Sequence, residues 1–148
     1  MLGVASLAFA GIYGNAFPTR AQYVQQAEKI CKNRTNKMNK KTNAANAALK
    51  KGDTKKGGSL IVDSSQIFGK AVRNLGKIVK PKDDKKVLKK WLASLKGDVS
   101  GLANLGKIIK TKGVGKAAKQ ALAQASAHAN KTNKIVKGFG FSYCLVNA

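Results

Sequence analysis

Acidic residues are the scarcest charged component of this 148-residue sequence. Six Asp and Glu stand against 29 Lys and Arg, which gives a formal charge of +23. Most of the basic side chains therefore cannot find an intramolecular salt-bridge partner, and their mutual repulsion costs stability. This imbalance favours a polyanionic partner over a basic surface that serves solubility alone. The partners that fit are an acidic wall polymer, an anionic membrane surface and nucleic acid.

The sequence also lacks the residues that most catalytic and metal sites require. His128 is the only histidine, so neither a catalytic triad nor a histidine-based metal site has its partners. The adjacent acids Asp83 and Asp84 are flanked by lysine and are interpreted as helix caps. Residues 101–107 have the spacing of a P-loop, but Ile108 follows where Ser or Thr would bind magnesium. We therefore expect no catalytic residue, no metal and no cofactor, and the protein is predicted not to be an enzyme.

Aromatic residues make up only 6% of the chain, and alanine supplies much of the apolar remainder. The core is therefore expected to be thin, and a thin core benefits from a covalent link. Trp91, Phe68 and Tyr23 fall on the apolar faces of predicted helices, so stacking on nucleic-acid bases is not indicated. Any binding to nucleic acid is predicted to use phosphate contacts and to ignore base sequence.

The start of the chain has no charge, since the first charged residue is Arg20. The apolar run over residues 1–17 resembles the core of a signal peptide, and the small residues 14–16 offer a cleavage site. A retained membrane anchor is the alternative, but about 20 apolar residues are normally needed to span a bilayer. We therefore interpret residues 1–16 as a signal peptide or apolar N-terminal segment and 19–148 as one basic domain. The predicted location is secreted or in the cell envelope.

The two cysteines, Cys31 and Cys144, lie near opposite ends of the chain. In an exported protein they are expected to pair, whereas in a cytosolic protein they are more often buried thiols. A bond that closes a loop of about 100 residues stabilises a fold by roughly 4–5 kcal/mol in the chain-entropy model. The compartment therefore decides between these two predictions.

Helical periodicity begins at Thr19, and no stretch alternates long enough to indicate a sheet. Thr19 and Gln22 form a capping-box pattern that starts a long first helix. Residues 52–58 are predicted to form a loop after it. Ser59 is the predicted cap of a second helix, which Pro81 prevents from continuing.

The remaining sequence predicts further amphipathic helices. Asp83 or Asp84 is expected to cap a third helix that ends at Gly97. A fourth helical stretch follows from residue 99, and a last helix spans about 114–137. The predicted apolar positions of these and the second helix include Val79, Val87 and Leu122. The fold class is therefore all-α, a small helical bundle of four to five helices closed by one disulfide.

Lysines occur on every predicted helix and form clusters at 37–41, 50–56 and 82–90. No cluster adjoins an exposed aromatic set, so binding is expected to come from counterion release and point charges. The leading hypothesis is a non-enzymatic protein that associates with polyanions. Sequence-nonspecific nucleic-acid binding and cationic membrane activity are the alternatives. The predicted polyanion-binding residues are Lys37, Lys40, Lys41, Lys50, Lys51, Lys55, Lys56, Lys82, Lys85, Lys86, Lys89 and Lys90.

Several short motifs occur in an order that resembles a known family. The chain contains Tyr23-Val-Gln-Gln-Ala-Glu-Lys-Ile-Cys31, then Lys80-Pro-Lys-Asp83, then Trp91-Leu92, then Gly138-Phe-Gly-Phe-Ser-Tyr-Cys144. This order is similar to that in the small exported helical proteins and lipoproteins common in actinobacteria, over about residues 20–144. The resemblance implies an extracytoplasmic helical bundle with Cys31 bonded to Cys144, and it implies no activity.

The chain departs from this family in two respects. Members often carry an acylated cysteine after the signal peptide, whereas no cysteine precedes Cys31 here. Members are also often acidic or balanced in charge. The strong positive charge is therefore a feature of this chain rather than of the fold.

Overall fold

The computed structural model describes residues 16–146, which form four helices and contain no strand. The helices are α1 (Arg20–Lys50), α2 (Thr54–Lys77), α3 (Lys85–Lys112) and α4 (Lys116–Ile135). The prediction of a small all-α bundle is confirmed with four helices. The signal-peptide prediction lies outside the described residues, apart from its last residue.

The first two helices begin where the sequence supplies side-chain caps. The Thr19 hydroxyl accepts from the backbone N–H of Gln22 at 3.2 Å, and the Gln22 side chain accepts from the Thr19 N–H at 2.9 Å. The predicted capping box is thus confirmed. Asp53 caps α2 by accepting from the backbone N–H of Lys56 at 2.9 Å. The predicted loop over 52–58 and the predicted cap at Ser59 are therefore wrong, because Asp53 starts the helix earlier.

Two glycines allow α2 and α3 to approach closely. A Cβ atom on Gly58 would lie 2.5 Å from the carbonyl oxygen of Gly106, and one on Gly106 would lie 2.8 Å from that of Gly58. Side chains at these positions would force the two backbones apart. Gly106 therefore serves helix packing, and the P-loop spacing around it lies inside α3.

Gly97 does not end a helix, and the third and fourth predicted helices are the single helix α3. A Cβ atom on Gly97 would lie 2.7 Å from Cε1 of His128, so the glycine makes room for a ring from α4. The Nδ1 atom of that ring lies 2.7 Å from Oδ1 of the buried Asp98. The predicted boundary is wrong because this glycine accommodates a neighbouring side chain rather than a helix end.

Each helix packs against its neighbour in sequence, whereas α1 and α4 do not pack on each other over residues 16–146. The C-terminal tail, residues 136–146, contacts both of them. The disulfide between Cys31 and Cys144 joins the tail to α1, with the two Cα atoms 5.0 Å apart. Asn133 on α4 forms two hydrogen bonds with the backbone of Val146, each of 2.8 Å. The predicted disulfide is therefore confirmed, and the tail takes the place of a contact between the outer helices.

The larger hydrophobic cluster lies beside the tail. Trp91 and Tyr23 are fully buried and Phe68 nearly so, and Trp91 stacks on Phe141 with ring centroids 5.0 Å apart. The second cluster is smaller and rests on Leu105, Ile109, Ala118 and Ala121. Three residues predicted to face the core are exposed instead, namely Val79, Val87 and Leu122.

These exceptions have local causes. Val79 follows the end of α2, where the chain has left the helix, and Val87 lies in the first turn of α3. Leu122 faces the gap that the outer helices leave open. Periodicity alone does not show where a helix ends or which side of the bundle stays open. Among the four helices described, none has the length and apolar composition required to cross a bilayer.

Candidate polyanion-binding surface

Most acidic side chains bind groups of the same molecule. Asp84 is the first example. Arg20 donates to its carboxylate through Nε at 2.8 Å and Nη2 at 2.5 Å. These hydrogen bonds and the charge of Arg20 hold the pKa of Asp84 below its usual value of 3.8, against the opposing effect of burial. Asp84 stands at the N-cap position of α3 but makes no capping hydrogen bond. Asp84 therefore does not cap the helix through its side chain as predicted, because the carboxylate binds Arg20 instead.

Glu28, the only glutamate in the chain, holds the tail. Its carboxylate accepts hydrogen bonds from the backbone N–H groups of Ser142, Tyr143 and Cys144 at 3.0, 2.9 and 3.0 Å. The buried Arg34, nearly two turns further along α1, donates to the Tyr143 carbonyl oxygen at 2.6 Å. Burial lowers the pKa of Arg34, and the charge of Glu28 partly opposes this effect. The two side chains thus fix the tail on either side of the disulfide.

The remaining acidic side chains, with one exception, also bind groups of the same molecule. Asp63 pairs with Lys41 at 3.0 Å, Asp98 binds His128, and Asp53 caps α2. Only Asp83 forms neither an ion pair nor a side-chain hydrogen bond within residues 16–146. All 29 basic residues lie in this range, and only Arg20 and Lys41 among them pair with a carboxylate of residues 16–146. The positive charge of the surface is therefore largely uncompensated.

The antiparallel order of the helices collects the chain turns at two opposite ends of the bundle. We call the first the tail pole, comprising residues 16–20, 77–90 and 134–139. The Arg20–Asp84 pair joins two of its segments, and the Arg20 guanidinium lies 4.5 Å from the ring centroid of Phe139 in the third. The second is the hairpin pole, comprising residues 48–58 and 107–119. There a Cβ atom on Gly113 would lie 3.9 Å from the Thr54 side chain.

The predicted lysine clusters are separated by this arrangement. Lysines of 82–90 lie at the tail pole, those of 50–56 lie at the hairpin pole, and those of 37–41 lie midway along α1. All the predicted lysines are exposed except Lys41, which is half-buried beside Asp63. The structure thus brings 50–51 together with 55–56, but it does not unite the three clusters into one site.

Sequence reasoning missed the lysines that other helices contribute to each pole. In an up-and-down bundle alternate turns share an end, and that rule would have identified them once the helix order was known. Burial lowers the pKa of Lys80, and the nearby charges of Lys89 and Lys85 lower it further. This like-charge crowding at the tail pole would be relieved by a bound anion. The added residues are Lys107, Lys110, Lys112, Lys116 and Lys119 at the hairpin pole, and Lys77, Lys80, Lys134 and Lys137 at the tail pole.

A cleft of about 310 Å³ occupies the gap between α1 and α4 that the tail leaves open. Its walls are mainly apolar and include Met38, Leu102 and Leu122, and the buried Arg34 and Asp98 also line it. Arg34 Nε and Nη1 and Asp98 Oδ2 have no hydrogen-bond partner, but they have almost no accessible surface. The other polar side chains that line the cleft are uncharged, namely Thr35, Asn39, Thr42 and Ser126. Within residues 16–146 no group of acidic, histidine or cysteine side chains is arranged to hold a metal ion.

Comparison with models of protein families, with characterised proteins and with solved structures finds no match to this chain. The resemblance to exported actinobacterial proteins therefore stays a prediction. The surface charges and the fold itself provide the basis for assigning a function.

Proposed function

We propose that this is a non-enzymatic protein of the cell envelope or the extracellular space that associates electrostatically with polyanions. The observation that carries the proposal is that nearly all the acidic side chains bind groups of the same molecule. Five of the six carboxylates bind Arg20, Lys41, His128, the tail backbone or the start of α2. The lysines at both poles have no carboxylate partner within residues 16–146, so an external anion is the charge complement that they lack.

The lysines in the first turns of the helices support a binding role, because at these positions they work against helix stability. None of the four helices described has an acidic residue in its first turn. Cations near a helix N-terminus are unfavourable by about 0.3–1 kcal/mol each, because the helix dipole is positive there. A surface selected for stability alone would place acids at these positions. The first-turn lysines are Lys55 and Lys56 on α2, Lys85 and Lys86 on α3, and Lys116 on α4.

The disulfide supports the extracytoplasmic location. Such bonds persist in oxidising compartments and are rare in the cytosol. Cell fractionation and mass spectrometry of the native N-terminus test this part of the proposal. A protein that begins after residue 16 and is recovered outside the cytoplasm is expected. Reduced, uncleaved protein in the cytoplasm would overturn the location and favour the nucleic-acid alternative.

The charge mechanism is tested by measuring affinity as a function of salt. Binding to duplex DNA, a heparin-like polymer and an anionic wall polymer is measured between about 50 and 200 mM salt. The logarithm of the affinity should fall linearly with the logarithm of salt, by about 0.9 per phosphate contacted on DNA. Polymers of similar charge density should bind similarly. Salt-insensitive binding, or a strong preference for one DNA sequence, would refute the proposal.

A leakage assay distinguishes the membrane-active alternative from the proposed polyanion association. Phe68, Leu75, Leu105 and Ile109 on the amphipathic helices are buried in the bundle, so these apolar faces are not free to insert into lipid. The folded, disulfide-bonded protein is therefore expected to adhere to anionic vesicles without releasing an entrapped dye. Leakage at a low protein-to-lipid ratio would favour cationic membrane activity instead.

A further inference from the structure

The two poles are similar in charge but differ in exposed apolar side chains. Phe17, Val79 and Val87 lie at the tail pole with 54%, 62% and 37% of their surface exposed. The hairpin pole exposes one large apolar residue, Val114, at 54%. Phe17 precedes α1, whereas the two valines lie in 77–90, and the Arg20–Asp84 pair joins these two segments. The tail pole therefore presents apolar side chains that the fold itself does not bury.

Lysines accompany these apolar residues at the tail pole. Asp84 is paired with Arg20, so Asp83 is the one acid of this pole without a partner in the described chain. The α2–α3 loop and the first turns of α3 therefore expose positive charge beside Val79 and Val87. The exposed lysines of these two segments are Lys82, Lys85, Lys86, Lys89 and Lys90.

We propose that the tail pole is the face by which this protein adheres to an anionic membrane surface, an inference that rests on the polyanion association proposed above. A polar polymer such as nucleic acid offers lysines their charge complement but provides no apolar medium for Val79 and Val87. The headgroup region of an anionic bilayer provides both, since basic side chains meet lipid phosphates while neighbouring apolar side chains enter the acyl boundary. The bundle thus stands on the bilayer by one end, with the hairpin pole directed away.

A pair of triple variants tests this orientation on the full chain. Lys82, Lys85 and Lys86 are changed to Gln in one protein, and Lys51, Lys55 and Lys112 in its matched control. Both sets are exposed, so each variant loses the same charge without disturbing the core. Each lysine near an anionic surface strengthens binding by about fivefold, so the first variant should lose about 100-fold in affinity for phosphatidylcholine–phosphatidylglycerol vesicles. The control should change by less than about fivefold, because its lysines lie beyond a Debye length from the lipid.

Insertion of the apolar residues is followed by tryptophan fluorescence. Val79→Trp and Val114→Trp each add one exposed indole to the protein, while Trp91 is buried and gives a constant background. Phosphatidylcholine–phosphatidylglycerol vesicles should shift the emission of Val79→Trp to shorter wavelength and leave the emission of Val114→Trp unchanged. Pure phosphatidylcholine vesicles should shift neither variant. Circular dichroism melting confirms that each variant is folded.

The outcomes separate this inference from the broader proposal. Equal losses in the two triple variants, or equal emission shifts at the two poles, would overturn the oriented docking while leaving polyanion association in place. Weaker binding of both triple variants to a heparin-like polymer is expected from the general charge mechanism. If the wild-type protein binds neither that polymer nor anionic vesicles, both proposals fail.

Discussion

The contact between Gly58 and Gly106 predicts that alanine at Gly106 destabilises the bundle, although alanine usually stabilises a helix. A Cβ atom on Gly106 would lie 2.8 Å from the Gly58 carbonyl oxygen and 2.9 Å from the backbone nitrogen of Val62, whereas ordinary contacts begin near 3.4 Å. The obstructing atoms belong to the backbone and cannot rotate away. The helices must therefore separate by about half an ångström or more, and overpacking of this kind costs ~1–3 kcal/mol.

The gain in helix propensity offsets part of this cost. Replacing glycine by alanine inside a helix contributes up to about 1 kcal/mol, so Gly106→Ala should destabilise the fold by roughly 1–2 kcal/mol. The matched control is Gly76→Ala, because Gly76 lies in α2 and a Cβ atom there would have no neighbouring atom within 4 Å. That variant should gain about 0.5–1 kcal/mol. The two substitutions are therefore expected to have opposite signs.

Urea and thermal unfolding followed by far-ultraviolet circular dichroism measure both effects. A change of 1 kcal/mol shifts the Tm of a domain of this size by roughly 3–5 °C. Gly106→Ala should therefore melt below the wild type and Gly76→Ala above it. A Gly106→Ala protein as stable as the wild type would show that α2 and α3 do not cross at this glycine pair, and the close approach would be refuted.

Three further predictions concern the core and its links. Cys144→Ser should cost about 4–5 kcal/mol, because the disulfide closes a separation of 113 residues; titratable thiols in the native, non-reduced wild type would contradict the bond. Tyr23→Phe should stabilise the protein by ~1 kcal/mol, because the buried hydroxyl has no hydrogen-bond partner. Burial also raises the pKa of Tyr23 to about 12, so wild-type stability should decline as pH rises from about 10 toward that value, more than in the variant; equal urea midpoints at alkaline pH would refute this. Asp84→Asn should flatten the acid limb of the stability curve, because the Arg20 pair is fully effective above the usual carboxyl pKa of 3.8 and is lost as pH falls through the lower folded value. Asp83→Asn should leave that limb unchanged, and identical acid unfolding of the two variants would contradict the pairing.

The helical class, the capping box and the disulfide could be predicted because their signals are local or limited to two residues. Thr19 and Gln22 stand three positions apart, and the chain has only two cysteines to pair. Glycine was the main source of error, since one residue type serves both helix ends and close packing. Gly97 fits against His128, and Gly58 faces Gly106. Neither role is visible without the neighbouring helix.

The sequence predicted lysines of the candidate surface, but it did not predict how they are grouped in space. The sequence identifies the lysines, yet their grouping depends on which turns share an end of the bundle. The same limit applies to the carboxylates. Glu28 binds a backbone segment that follows it by 114–116 residues, and Asp84 binds Arg20 from 64 residues away. Such partners are set by the tertiary fold and have no signature in local sequence.

The anchoring of the tail to α1 has a consequence for the order of folding. Contacts between successive helices close short loops, so the three helical hairpins are expected to form first. The tail joins residues that are more than a hundred positions apart, as the 113-residue separation of the cysteines shows. Its docking on Glu28 must wait until α1 and α4 have reached their places. We therefore expect the two thiols to be oxidised after the four helices have packed, so that the bond forms on a bundle that is already assembled.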